Sequence, residues 1–397
     1  MGGLIPGPRS LLHVEASTSD KNVRNPGKYD AMAINPMLDR LACTGAEADR
    51  LIRGPPQDFR DLVALETLDE NTYRSIALAF GPAEGERTYG GHVYMQAAYA
   101  ASKTVPKGQV LHNITGWFLL PGKASERFTY HVRELRTGGY STRAVDATQE
   151  SDPGVSFSCI CSFKKAEKPE QPNLDIRQHL DLEKEYATVL NGKKSPEHEE
   201  MPGVDAPWYW DFTGRNNGYT DPFPGLELRK VDMNAYNKNK PSHGLEHRNL
   251  KMYSVRGAMP SVEQDPNMHI CAHLYASDRN SLFVISNHLG VGNAYSQMGS
   301  LSHNVIFHAD ASELNTLDSA TNQPRWFCQE SWTGGARQGR GIHHSRLWRD
   351  DGLHLATTLQ DGMIRLTVPG KEGKVGYSPE AMGRRMEEFI TKEKGKL

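Results

Sequence analysis

Cysteine is scarce in this chain, and no stretch of it stays apolar for long. The five cysteines, Cys43, Cys159, Cys161, Cys271 and Cys328, are odd in number and show no zinc-ligand spacing. A disulfide framework and a zinc module are therefore excluded, and a reducing, intracellular compartment is expected. No apolar run approaches the ~20 residues that a membrane span needs. An excess of one charge is also missing: 46 Lys and Arg stand against 48 Asp and Glu, a net charge of −2. Such a chain lacks the electropositive footprint of a nucleic-acid binder. No Gly-x-Ser-x-Gly elbow occurs, which counts against an α/β-hydrolase. Gly290-Val291-Gly292 lacks the third glycine and the preceding strand of a dinucleotide loop. The opening residues have neither the charged leader nor the apolar core of a secretory signal. Pro6 stands where an N-myristoylation pattern takes Ser or Thr.

The 397 residues suffice for two ordinary domains or one duplicated domain with insertions. Only 37% are hydrophobic and the mean hydropathy is −0.61, so sizeable exposed loops are expected. Residues 1–57 mix Pro, Gly, Asp and Asn without period and read as an extended arm. An alanine-rich helix is expected over 90–102, stopped by Pro106 and Gly108. Strands follow over 110–120, 128–136, 140–149 and 156–163. The last alternates Phe157, Cys159, Cys161 and Phe163 with Ser156, Ser158 and Ser162, the period of a half-buried antiparallel strand. Residues 164–224 turn to Lys, Glu, Pro and Asn and read as a linker or insertion. It holds one short helix near 181–190 and the cluster Trp208-Tyr209-Trp210.

The second half repeats this outline. A helix is expected to open at Asp278 and run to about His288. Strands follow over 300–308, 326–331, 342–348, 353–360 and 363–368, with Asp350-Asp351-Gly352 as a tight turn. Two echoes accompany the duplication: residues 114–118 against 303–307, and residues 144–149 against 355–360, each of the latter ending in glutamine.

Further pieces carry a resemblance. The first half holds Tyr89-Gly90-Gly91-His92-Val93, Gln96-Ala97-Ala98, Thr104-Val105-Pro106, Trp117-Phe118-Leu119-Leu120-Pro121-Gly122 and Ser141-Thr142-Arg143-Ala144-Val145. The second holds Tyr275-Ala276-Ser277-Asp278, His303-Asn304-Val305-Ile306-Phe307-His308, Gly339-Arg340-Gly341 and Gln360-Asp361-Gly362-Met363-Ile364-Arg365. In number, order and spacing these resemble the acyl-CoA thioesterase II family, over residues 58–163 and 225–366.

The resemblance implies an α+β fold, a tandem (double) hotdog in which each curved antiparallel sheet wraps a central helix. The expected division is arm 1–57, N-terminal hotdog 58–163, linker 164–224, C-terminal hotdog 225–368 and a helical tail 369–397. The implied reaction is hydrolysis of a fatty or other bulky acyl-CoA to free acid and CoA, without cofactor, metal or covalent intermediate. The implied catalytic trio is Asp278, Ser300 and Gln360. A carboxylate can accept a proton from water, while a hydroxyl and an amide hold that water without titrating near neutrality. Read without the resemblance, Asp278 is an ordinary helix N-cap candidate.

Other residues are assigned away from the chemistry. His343 and His344 sit on opposite faces of a strand, poor geometry for one metal. Ser300 and His303, three apart on a strand, are expected to face opposite sides. His92 and Gln149 are read as structural remnants of the duplication. The chain departs from the family at Leu120 (usually Arg), Ile306 (usually Trp), Ala309-Asp310 (usually Arg-Pro), His92 (usually Gln), Ser302 (usually Asp) and Asp361 (usually Glu). Loss of Arg at 120 bears on phosphate contacts to CoA, and Ile306 is expected to reshape an apolar wall. These departures keep two alternatives open: a specialised biosynthetic thioesterase acting on an unusual acyl-CoA or carrier-bound thioester, and a non-catalytic acyl-CoA-binding hotdog. A homo-oligomer is expected, in the cytoplasm or, since Gly395-Lys396-Leu397 resembles a degraded Ser-Lys-Leu, the peroxisome.

Overall fold

The computed structural model describes residues 57–82, 86–166, 176–215 and 223–367, together with Gly383, Met386 and Glu388. The expected arm (except Gln57), the tail (except those three residues) and Gly395-Lys396-Leu397 lie outside the described residues.

The chain enters through a short helix α1 (Phe59–Val63) and the strands β1 (Leu65–Thr67) and β2 (Thr72–Ser75). Helix α2 (Gly90–Ser102) has eleven buried residues, Gly91 to Ala101. Its alanines let the sheet and a second helix approach the backbone closely, and Lys103 closes it by donating to Ala100 O and Ala101 O. Strands β3 (Gln109–Phe118), β4 (Phe128–Arg136), β5 (Tyr140–Gln149) and β6 (Asp152–Lys165) complete the first half. Their pairing is antiparallel throughout.

The stretch expected to be a linker is more structured than its composition implies. It contains α3 (Leu182–Glu185), α4 (Ala187–Leu190), a 3-10 turn over Ser195–Glu197, β7 (Glu199–Glu200) and α5 (Pro207–Arg215). Tyr186 OH donates to Glu330 at 2.9 Å, and Tyr186 and Leu190 pack on Trp348 and Cys328, covering the outer face of the second sheet half. Trp208 Nε1 reaches Tyr295 OH at 3.3 Å, so the aromatic cluster packs back on that half.

The second half runs β8 (Leu226–Lys230), α6 (Asn234–Asn237), β9 (Asn249–Val255), α7 (Pro266–Ser277), α8 (Ser281–His288), β10 (Tyr295–Phe307), β11 (Phe327–Arg337), β12 (Arg340–Arg349) and β13 (His354–Leu366). Three expectations are corrected here. The central helix is α7, which ends where a helix was expected to begin. It starts at Asp265, whose carboxylate accepts from Met268 N–H, with Pro266 in the first turn. Asp278 is therefore the C-cap of α7, and the N-cap of α8 is Asn280, in the left-handed region at φ 57°. The two expected strands 353–360 and 363–368 are one strand, β13, to Leu366.

Among the described residues the strands form one sheet of thirteen, in the order β1-β2-β4-β5-β6-β3-β10-β13-β12-β11-β9-β8-β7. The halves meet at β3 and β10, where Thr115 pairs with Asn304. Outward from that seam the order repeats: β6, β5, β4 on one side match β13, β12, β11 on the other. The first echo follows this duplication, because residues 114–118 and 303–307 lie on matching strands. The second does not: residues 144–149 are on β5 while 355–360 are on β13, whose counterpart is β6. Helices α2 and α7 lie against each other inside the curved sheet, antiparallel. Asp265 at the start of α7 binds Tyr99 near the end of α2 at 2.7 Å, while Asp278 at the end of α7 meets Gly90 at the start of α2. The double-hotdog expectation holds.

Candidate active site

Asp278, Ser300 and Gln360 converge. Gln360 Nε2 donates to Asp278 Oδ1 at 2.6 Å and to Ser300 Oγ at 2.6 Å. Each comes from a different element: the end of α7, the first stretch of β10 and the middle of β13. Asp278 is carried across to the other half of the molecule, where its carboxylate accepts a hydrogen bond from Gly91 N–H in the first turn of α2. That turn is the positive end of the helix and favours an anion. Gly90 makes the approach possible, since a Cβ there would lie 2.8 Å from Asp278 Oδ2.

Burial pushes the Asp278 carboxyl up to about 6, against the opposing pull of the Gln360 and Gly91 hydrogen bonds and the positive Lys251. A carboxylate in that range is still ionised at neutral pH and is a better proton acceptor than an exposed one. Gln360 is wholly buried, so its donors are aimed by packing.

Lys251 was not singled out from sequence. It is fully buried on β9, and its ammonium donates to Arg279 O at 2.7 Å and Ala276 O at 3.2 Å. It thereby holds one carbonyl in the last turn of α7 and one just past its end, on either side of Asp278. Burial first, and then the nearby Arg279 charge, bring its ammonium down to about 7. The signal for it was a lysine inside the otherwise largely apolar run of residues 249–255.

The expectation for Ser300 and His303 is corrected. A β-bulge between Ser300 and Ser302 shifts the register, so both residues face inward. They still do not form a nucleophile and base. Ser300 Oγ accepts from Gln360, while His303 Nε2 bonds Ser277 Oγ at 2.8 Å. Burial takes the His303 imidazole down to about 3. His92 is likewise buried and brought down to about 3 by its burial; it does not line the cleft. Gln149 binds the backbone of Lys123 and Glu126, closing a loop. His343 is wholly buried, and His344 stacks on Trp332 at 5.5 Å on the other face. No group of metal-ligating side chains occurs among the described residues.

Asp278 and Ser300 open on a cleft of roughly 320 Å³. Phe118, Leu120, Phe283, Met298 and Met363 are among its apolar lining, and Arg87, Tyr89, Val204, Arg279 and Asn280 line it as well. Both halves of the chain supply wall. Leu120, one of the departures, lines this cleft. Ile306 does not: it lies on the outer face of the sheet, 39% exposed, so the expected reshaped wall is not part of the site. Asp310 instead caps a turn, accepting from Ser312 and Glu313 N–H.

Comparison with known proteins agrees with this architecture. Residues 81–164 match the family model of the acyl-CoA thioesterase N-terminal domain, and residues 199–364 that of the C-terminal domain. Acyl-coenzyme A thioesterase 8 of Homo sapiens is 27% identical over 347 residues, covering 81% of this chain and 94% of that protein. Acyl-CoA thioesterase 2 of Haemophilus influenzae is 25% identical over 321 residues, 77% of this chain and 96% of that one. Among solved structures, an acyl-CoA thioesterase II from Mycobacterium marinum superposes with a TM-score of 0.53 at 25% identity, over 79% of this chain and 99% of its own. A hot dog fold protein from Alicyclobacillus acidocaldarius superposes at 0.54 with 14% identity, over 78% and 98%, a likeness of fold.

Proposed function

We infer the reaction from kinship and geometry together: this chain belongs to the acyl-CoA thioesterase II family, and its cleft wall carries a carboxylate and a hydroxyl joined from behind by the Gln360 amide. The proposed activity is hydrolysis of an acyl-CoA carrying a fatty or other bulky acyl group. The observation that supports it is the pair of 2.6 Å bonds from Gln360 to Asp278 and Ser300 at the cleft wall.

In this reading Asp278 takes a proton from the water as its oxygen attacks the thioester carbonyl carbon. Ser300 and Gln360 orient that water. The first turn of α2 at Tyr89 and Gly90 faces the same cleft, and its positive end favours the oxyanion that develops. As the tetrahedral intermediate collapses, the C–S bond breaks and Asp278 returns its proton to the departing CoA thiolate. Acid and free CoA result, and no group outside the chain is consumed except water. The acyl group fits the apolar lining of the cleft at Phe118, Leu120, Phe283 and Met298.

The test is release of free CoA from acyl-CoAs of graded length, detected by a thiol reagent, with Asp278→Ala beside the wild type. A loss of about 10³-fold or more is expected. Equal rates, or tight binding with no turnover in the wild type, would replace this reading with a non-catalytic acyl-binding role.

The homo-oligomer belongs to the same reading. Trp117, Ile160, Ile306 and Leu359 are 39–45% exposed on the outer face of four adjacent strands at the seam. They fall into matched pairs about Thr115 and Asn304, the repetition that a two-fold contact uses. Trp117→Lys with Ile306→Lys should halve the mass seen by light scattering; a monomeric wild type sinks the idea.

A further inference from the structure

Asp278 and Arg279 leave the end of α7 in different directions and reach the same cleft. Asp278 turns to Gly91 and Gln360. Arg279 turns into an aromatic cage: its guanidinium carbon lies 4.2 Å from the Phe223 ring centroid, 5.4 Å from Phe80 and 5.8 Å from Tyr89. The side chain is only 2% exposed. Its polar contacts are poor. Nη2 reaches Pro202 O at 3.4 Å, longer than an ordinary hydrogen bond, and Nε has no partner. Among the described residues no carboxylate pairs with it, and the buried charges that meet in this region are the Asp278 and Asp205 carboxylates and a second cation, Lys251.

A guanidinium in this position is unusual in energetic terms. Three aromatic rings attract a desolvated cation. Removing it from water with no carboxylate bonded to it opposes that attraction. The backbone there is held firmly, with Lys251 Nζ on the Arg279 carbonyl at 2.7 Å, so the side chain is aimed rather than loose. Arg279 also lines the cleft that Asp278 and Ser300 line. The cage holds the guanidinium at the cleft lining, and a planar or tetrahedral oxyanion is the group that arginine pairs best.

We propose that Arg279 is a specificity-determining residue that pairs with an oxyanion carried by the thioester substrate, beside the reacting carbonyl. This rests on the thioesterase reading above. Two parts of a substrate can supply that chemistry: a carboxylate at the far end of the acyl group, or a phosphate of CoA.

Four thioesters separate these sources: hexanoyl and adipoyl groups, each on CoA and on pantetheine, which lacks the phosphates. Arg279→Met is expected to raise KM about 10- to 100-fold, the loss of one charge-assisted pairing, for the thioesters that carry the paired anion. An adipoyl-selective rise assigns the acyl carboxylate, and a CoA-selective rise assigns the phosphate. Arg279→Lys, which keeps the cation and guards against a failure to fold, should show a smaller rise of the same selectivity. A uniform fall across all four thioesters, or no change in either variant, overturns the proposal and leaves Arg279 a packing residue. If the wild type hydrolyses none of them, the thioesterase reading has failed. Calorimetric binding of CoA and of adipate to wild type and Arg279→Met then decides the anion pairing alone. Weaker binding by the variant supports it, and equal binding overturns it.

Discussion

The two halves place different side chains at matching points. Each central helix ends in a serine that bonds back into its last turn, Ser102 to Tyr99 O at 2.7 Å and Ser277 to Leu274 O at 2.8 Å. The next residue, the C-cap, is Lys103 in the first half and Asp278 in the second. Each seam strand carries a bulge one residue further on, after Leu111 in β3 and after Ser300 in β10. The strand beside it presents Cys161 opposite Ile114 in the first half and Gln360 opposite His303 in the second. The counterparts of Asp278, Ser300 and Gln360 are thus Lys103, Leu111 and Cys161. The first half builds a dry interior there, with Leu111 and Cys161 in its apolar core. The second puts His303, Gln360, His343 and Thr333 in one row across its inner face. The two scaffolds match, while the side chains at these positions are apolar or exposed in one half and polar and buried or half-buried in the other. Burying polar groups costs stability where hydrogen bonds do not compensate, and the row includes Gln360, which bonds the two cleft-lining residues Asp278 and Ser300.

That asymmetry can be broken by experiment. The largest contrast is expected between Gln360→Ala and Cys161→Ala. The first should lower kcat about 10²-fold or more by leaving Asp278 and Ser300 unaligned. The second should leave kcat within about twofold and cost about 1 kcal/mol in urea unfolding. Comparable kinetic losses would mean that both halves take part in the chemistry.

Next comes Gly90→Ala. Its Cβ would meet Asp278 Oδ2 at 2.8 Å and the Phe118 ring at 2.9 Å, so a fall in kcat of about 10-fold or more is expected with the fold retained by circular dichroism. An unchanged kcat would show that Asp278 does not need the start of α2.

The pH response follows from burial. With the Asp278 carboxyl near 6, kcat/KM should fall on the acid side of about pH 6, where the base becomes protonated. Because that folded-state value lies above the ordinary one, ionisation weakens the native state as pH rises from about 4 to 7. Asp278→Asn removes the titration. Its stability relative to wild type should therefore rise over that interval, by up to ~3 kcal/mol, in urea melts at the two pH values. A constant difference would show that the carboxylate is not buried as described.

The smallest effect is expected at Lys103→Met. Lys103 pairs with Asp265 at 3.4 Å, partly exposed, and such pairs contribute at most about 1 kcal/mol. Activity should be unchanged; a large loss would make the first half's C-cap functional after all.

Much of this was readable in the chain. Helix α2 and strands β4 and β5 fall at the expected residues because alanine content, alternation and Gly or Pro punctuation act locally. Helix α7 was missed for a physical reason: every residue from Asn267 to Ser277 is buried. It has no polar face and hence no helical period to detect. Its start signal, Asp265-Pro266, was there to be used. The convergence of the trio was out of reach, since its bonds join residues 82 and 60 positions apart, and the bulge that turns Ser300 inward leaves no mark in composition. Only resemblance to a family singled those residues out. Lys251 and Arg279 were missed because buried cations read as surface residues until their surroundings are known.

The bond from Gly91 N–H to Asp278 has a further consequence for how such a molecule can be altered. The first half supplies no side chain to the proposed trio, only wall such as Phe118 and Leu120. Yet part of its contribution is a main-chain N–H, which most substitutions at Gly91 would leave in place. A chain cut back to its second half alone would lose that N–H, so the two halves are unequal but joined at this point.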